Sequence, residues 1–149
     1  MTIRELGPGE SELAFEAMRE LRPQIGPRAE FARRIDEVQR KEGFRLVASF
    51  ADGTQSAAAC AGFRVAHNTA WGRHLYVDDL STRSDSRRQG HAGALLDWLF
   101  VEARRMGCEQ LPLDSGPHRH DAHRVYLKHG LAITAHHFRA DLEREPGAG

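Results

Sequence analysis

Several things that would commit a chain to a class are missing from this one. Only two cysteines occur in 149 residues, Cys60 and Cys108. They show neither metal-ligand nor redox spacing, and read as small buried apolar residues of a reducing compartment. Net charge is also absent, because 21 basic residues balance 21 acidic ones. That excludes a nucleic-acid binder relying on bulk charge, leaving only a local basic patch open. No apolar run approaches the ~20 residues of a membrane span. Met1-Thr2-Ile3-Arg4-Glu5-Leu6 lacks the basic-then-apolar order of a signal peptide. There is no internal repeat and no long linker, and Glu145 to Gly149 reads as a frayed tail. The expectation is a soluble, cytoplasmic, single domain over residues 1–149 with a sizeable core, binding neither membrane nor nucleic acid.

Familiar phosphate and nucleophile signatures are missing too. No Gly-Lys-Ser/Thr occurs, which excludes a P-loop. No G-x-G-x-x-G follows a first strand, which excludes a Rossmann fingerprint. Ser115 lies in Asp114-Ser115-Gly116 rather than G-x-S-x-G, which excludes the serine-hydrolase elbow. What is present is Arg87-Arg88-Gln89-Gly90-His91-Ala92-Gly93, a polar loop running into an amphipathic helix. Gly90 permits close backbone approach, and Ala92 and Gly93 keep bulk away. The first amides of a helix lack intrahelical partners and carry partial positive charge, so such a turn can cradle a pyrophosphate.

Periodicity supplies the frame. Thr2 to Leu6 reads as a strand. Leu13, Ala17 and Leu21 give a helix over residues 10–21, with Ser11 as candidate N-cap. Phe31, Ile35 and Val38 give a second helix over residues 28–41, ended by Gly43. The period then switches to two over residues 44–50, 57–66 and 73–82, with Asp52-Gly53 and residues 68–72 as turns. Gly90 to Met106 is the clearest helix, burying Ala92, Leu95, Leu96, Leu99, Ala103 and Met106. A short strand at Leu111 to Asp114 contains Pro112, which cannot donate a ladder bond. A helix over residues 119–129 and a last strand over residues 131–141 complete the chain.

Arg87, Gly90 and Ala92 match the Arg/Gln-x-x-Gly-x-Gly/Ala loop of the GNAT superfamily of N-acetyltransferases. A second pattern, Ala122, Val125, Tyr126, Gly130 and Leu131, is similar to the Ala-x-x-apolar-Tyr-x-x-x-Gly-Phe/Leu helix of the same superfamily. The strand Tyr76-Val77-Asp78-Asp79-Leu80-Ser81-Thr82 resembles that of polyamine-type members. One departure is Arg119, where many members carry Asn. The resemblance implies an α/β (α+β) GNAT fold, with a mixed, mostly antiparallel twisted sheet flanked by helices and strands four and five splayed. It implies acetyl-CoA as co-substrate, with Leu80, Ser81 and Thr82 along the pantetheine arm. Arg87, Arg88, Gln89, Gly90, His91, Ala92 and Gly93 would lie at the pyrophosphate. It implies Tyr126 as general acid toward the departing sulfur, and Asp78 as the acid of strand four that handles the amine.

A lysine-like amine of pKa ~10.4 is neutral in only about one molecule in 2,500 at pH 7. An Asp of ordinary pKa ~3.9 is a weak base for it, so Asp78 would need a raised pKa or would orient the amine and a relay water. Histidines offer another base. His120 and His123 form no three- or four-ligand set, so no metal is expected. His136 and His137 alternate across a strand and cannot share a site. The expected reaction is acetyl transfer to a primary amine of a small molecule. The alternatives are a protein or peptide amine, or a non-catalytic acetyl-CoA-binding regulatory domain. The acceptor is not written in the sequence, and a homodimer stays open.

Overall fold

The residues between Leu46 and Phe50 are buried on both sides, and that places their strand between two layers. In the computed structural model, which describes Met1–Arg144, the chain forms two compact units, Met1–Ser115 and a second beginning at Gly116. The first contains β1 (Thr2–Leu6), a 3-10 turn at Ser11–Ala14, α1 (Phe15–Leu21), α2 (Arg28–Glu37), β2 (Arg45–Phe50), β3 (Ala59–Asn68), β4 (Gly72–Thr82) and α3 (His91–Arg105). The strands run β1-β2-β3-β4, each antiparallel to the next. The second unit contains α4 (His120–Lys128).

Alternation sorts the β2 side chains. Leu46, Ala48 and Phe50 join Phe15, Met18, Phe31 and Ile35 in the core under α1 and α2. Ser49 points the other way and meets His91 of α3. On that face Leu95, Leu96 and Leu99 are fully buried, and Trp98 packs edge-on to Phe63 of β3. α3 also buries a carboxylate. Glu102 accepts hydrogen bonds from Arg105 and Arg45 at 2.7 Å, which hold its carboxyl down to about 2. Its charge is therefore satisfied rather than stranded.

The structure departs from the periodic reading in four places. Ser11 is not an N-cap: its hydroxyl donates to Asp36 at 2.6 Å. The second helix stops at Glu37 instead of Lys41, and Val38 is exposed rather than part of the apolar stripe. Arg40 explains the break. It holds Asp36 through Nε while Nη2 donates to the Leu6 and Gly7 carbonyls, bending residues 39–42 into a 3-10 turn. Leu111 to Asp114 pairs only through isolated parallel bridges to β4. Residues 131–141 form no strand. There Leu131 and Ile133 fall on one face of a period-two ribbon and Phe138 on the other, so no single face is apolar. Ile133 and Phe138 are 80% and 91% exposed.

β4 carries a bulge. Phe63 pairs with Val77 and Gly62 with Asp79, so Asp78 has no opposite residue. Gly62 is required beside it, because a methyl there would overlap the Phe44 ring and sit 3.1 Å from Asp79 Oδ2. Phe44 is buried and cannot swing away. Gly62→Ala should cost about 1–3 kcal/mol by overpacking, measured as a lowered urea midpoint with an unchanged m-value.

Candidate active site

β4 is paired on one side only along its C-terminal half. Toward residues 110–113 the Leu75 amide donates to the Gln110 carbonyl and the Val77 amide to that of Pro112, at 3.0 and 3.1 Å. Pairing then stops. Among the described residues nothing pairs with the outer edge of Leu80, Ser81 and Thr82, while the inner edge remains bonded to β3. The two segments thus splay, leaving a backbone edge of the kind an extended ligand can extend. Pro112 fits there because its missing amide is not required for the two bonds that do form. Leu80 buries its side chain, and Ser81 donates to the Ala17 carbonyl of α1 at 2.6 Å. Both are therefore fixed by packing and offer main chain alone.

This edge leads into the loop before α3. Gly90 precedes the helix in left-handed conformation, φ 87°, and a Cβ there would meet nothing within 4 Å. Arg88 is also left-handed, at φ 59°, the one non-glycine residue with positive φ among those described. Such a conformation costs roughly 1–2 kcal/mol outside glycine. The first intrahelical bond runs from Ala94 to the Gly90 carbonyl. The amides of His91, Ala92 and Gly93 therefore have no intrahelical acceptor and project from the positive end of a 15-residue helix. The exposed Arg87 lies 3.8 Å from Glu20. Gln89 donates to the Asp85 carbonyl at 3.3 Å. By its chemistry such a helix start can take an anion.

Some residues differ in role from the sequence reading. The His91 side chain does not face the cradle. It is buried, with Nδ1 2.8 Å from Ser49 Oγ, and burial lowers its pKa. Glu20 of α1, which periodicity gave no reason to single out, accepts the Ser84 amide at 3.0 Å and ties the loop to that helix. That bond holds its carboxyl below the usual range.

The bulge sets both acids on one face of the sheet. Asp78 forms a two-pronged pair with Arg64 at 2.8 Å. Arg64 stacks over Tyr76, whose hydroxyl donates to Asp114 at 2.8 Å. Asp79 is more enclosed. It accepts from Arg22 Nε at 2.9 Å, and burial raises its carboxyl, with Arg22 opposing and Asp78 reinforcing. Neither Arg22 nor Arg64 carries a sequence signal for this role. Tyr126 lies on α4 in the second unit and is buried, with Ala122 one turn earlier on the same helix face. Arg119 occupies the N-cap of α4 without a side-chain cap. No group of three His, Cys, Asp or Glu side chains able to hold a metal occurs among the described residues. Among the described residues no helix is long and apolar enough to cross a membrane.

A profile of the acetyltransferase (GNAT) family matches residues 12–131, most of the chain. The chain belongs to that family. It is 33% identical over 128 residues to an uncharacterized N-acetyltransferase, YhdJ, of Bacillus subtilis, covering 85% of this chain and 87% of that one. A putative acetyltransferase from Agrobacterium tumefaciens shares its fold, with a TM-score of 0.79 at 18% identity over 95% of this chain and 99% of the other. So does the aminoglycoside N-acetyltransferase AAC(6')-Iy, solved with CoA, with a TM-score of 0.80 at 17% identity over 94% and 93%. This GNAT chain is therefore an N-acetyltransferase, of a family that uses acetyl-CoA. Its mostly antiparallel sheet flanked by helices is the expected fold.

The buried His91 makes this GNAT domain acid-sensitive. An unfolded imidazole titrates near pH ~6.5, whereas the folded one resists protonation. Its contribution to stability is complete above that pH and is lost as pH falls toward the lowered folded pKa. Denaturant titrations at pH 7.5 and 5.0 should show a loss in the wild type that His91→Gln reduces.

Proposed function

We propose that this enzyme transfers the acetyl group of acetyl-CoA to a primary amine of a small molecule, with the two units acting together as one catalytic domain. The observation that carries the reading is the continuity of two unfilled features. The unpaired β4 edge at Leu80–Thr82 is followed, across the loop of residues 83–90, by the start of α3, where the amides of Ala92 and Gly93 have no intrahelical acceptor. An extended amide-bearing arm joined to a pyrophosphate has that shape and chemistry. When bound, acetyl-CoA supplies a thioester carbonyl open to nucleophilic attack.

The residues then divide the work. The edge of Leu80, Ser81 and Thr82 holds the arm by backbone hydrogen bonds. Arg87, Arg88, Gln89, Gly90 and the amides of His91, Ala92 and Gly93 hold the pyrophosphate. Asp78, fixed by Arg64, orients the incoming amine and a relay water. As the amine nitrogen bonds to the carbonyl carbon, its proton leaves through that water. The carbon–sulfur bond breaks, and the departing sulfur takes the proton of the Tyr126 hydroxyl. The amine's lost proton restores Tyr126 through solvent. Metal is not needed for any of these steps.

Two measurements test the proposal. Gly90→Asp puts a carboxylate at the cradle and should weaken acetyl-CoA binding at least tenfold by calorimetry, roughly the worth of a charge-assisted hydrogen bond lost and a repulsion gained. Unchanged affinity in the folded variant would refute the cradle. Tyr126→Phe removes one hydroxyl and should lower kcat about 100-fold with acetyl-CoA affinity nearly intact. A near-normal kcat, with chemistry rate-limiting, removes Tyr126 from the mechanism.

A further inference from the structure

Beneath α1 and α2 lies a cleft of about 160 Å³ that the proposed acetyl-CoA residues do not line. Water takes ~30 Å³ in the liquid, so the enclosed part of the cleft suits a compact ligand. Its lining includes the apolar Phe31, Ile35 and Phe44, all buried. It also includes the charged Arg22, Arg34 and Asp79. Asp79 immediately precedes the open edge of β4.

The charges decide what this cleft can take. Asp79 is the only carboxylate of its lining, and it is already paired with Arg22 at 2.9 Å. Arg34 is more loosely held. The nearest carboxylate is Glu30 at 3.8 Å, and Glu30 is itself engaged by Arg33 at 2.6 Å. A polycation entering here would meet two guanidinium groups against a single carboxylate, a lining of net positive charge. An anionic group instead finds Arg34 with donors to spare, in the fork geometry that suits a carboxylate. The apolar lining disfavours a polyhydroxylated body, whose hydroxyls would lose water without gaining partners.

We infer that the acceptor is a small amine with amino-acid chemistry. Its apolar side chain lies on Phe31 and Phe44, its carboxylate on Arg34, and its amine passes Asp79 to reach the neighbouring Asp78 that orients it. The inference rests on the acetyl-transfer reading above and narrows it. Gly62 is what leaves room for the Phe44 ring beside Asp79, and so shapes the cleft.

The test is thiol release from acetyl-CoA by the full chain. The amines are leucine, methionine, phenylalanine, phenylalaninamide, spermidine and glucosamine 6-phosphate. The best amino acid should exceed phenylalaninamide and spermidine in kcat/KM by at least about tenfold, the worth of one charge-assisted hydrogen bond. Arg34→Gln, a surface change on α2 checked by an unchanged melting temperature, should cut the preference for phenylalanine over its amide about tenfold, mainly through KM. Equal or better use of the amide or spermidine overturns the inference. So does preference for the sugar phosphate, or an amino-acid preference that Arg34→Gln leaves in place. No turnover of any of these amines, with acetyl-CoA still bound by calorimetry, also overturns it. Absence of acetyl-CoA binding overturns the proposed function instead.

Discussion

One extra residue in β4 governs the architecture of this site. Asp78 stands opposite nothing on β3, so the strand kinks and the inward-outward alternation shifts by one. Before the bulge, Leu75 and Val77 face α3. After it, Leu80 takes up that face while Asp79 and Ser81 turn toward α1. A regular strand would send Asp78 and Asp79 to opposite faces. The bulge gives them one face, with Arg64 on the first and Arg22 on the second. It also lies where pairing to residues 110–113 ends, so the same irregularity sits at the mouth of the splay.

The surrounding structure holds that irregularity in place from both layers. Ser81 is tied to Ala17 of α1, and Ser84 to Glu20 one turn later on the same helix. On the far layer, Arg45 of β2 joins Glu5 and Glu102, securing α3 against β1 and β2. The start of α3 is secured again by the Ser49–His91 contact. The helix end that offers its amides is thus anchored by a buried pair rather than by a capping side chain, which would itself occupy the cradle. Rigid support beneath an unfilled main-chain surface is what binding a charged, extended ligand without reorganisation requires.

The family and its general chemistry are common to many proteins, whereas the proposed acceptor preference rests on one cleft. That cleft is lined from α1, α2 and β4, by apolar side chains, two arginines and one acid. A shared fold does not speak to Arg34 or Phe31, because function is set by the site and not by the fold.

By itself the sequence determined the four-strand run, the long α3 with its stop at Gly107, and the loop from Arg87 to Gly93. Those rest on local rules: a period of 2 or 3.6, a glycine free to take positive φ, and helix-start amides without partners. Tertiary structure alone decided the rest. The break at Val38 depends on Arg40 reaching back to the Leu6 and Gly7 carbonyls, far away in sequence. The His91 side chain is taken by Ser49 of β2, a contact that no local pattern shows. Residues 131–141 looked like a strand, yet a strand is stabilised by a ladder supplied from elsewhere, and their own pattern gives no single apolar face. The bulge at Asp78 is set by the register between β3 and β4. Register is a relation between two segments, and neither segment carries it alone.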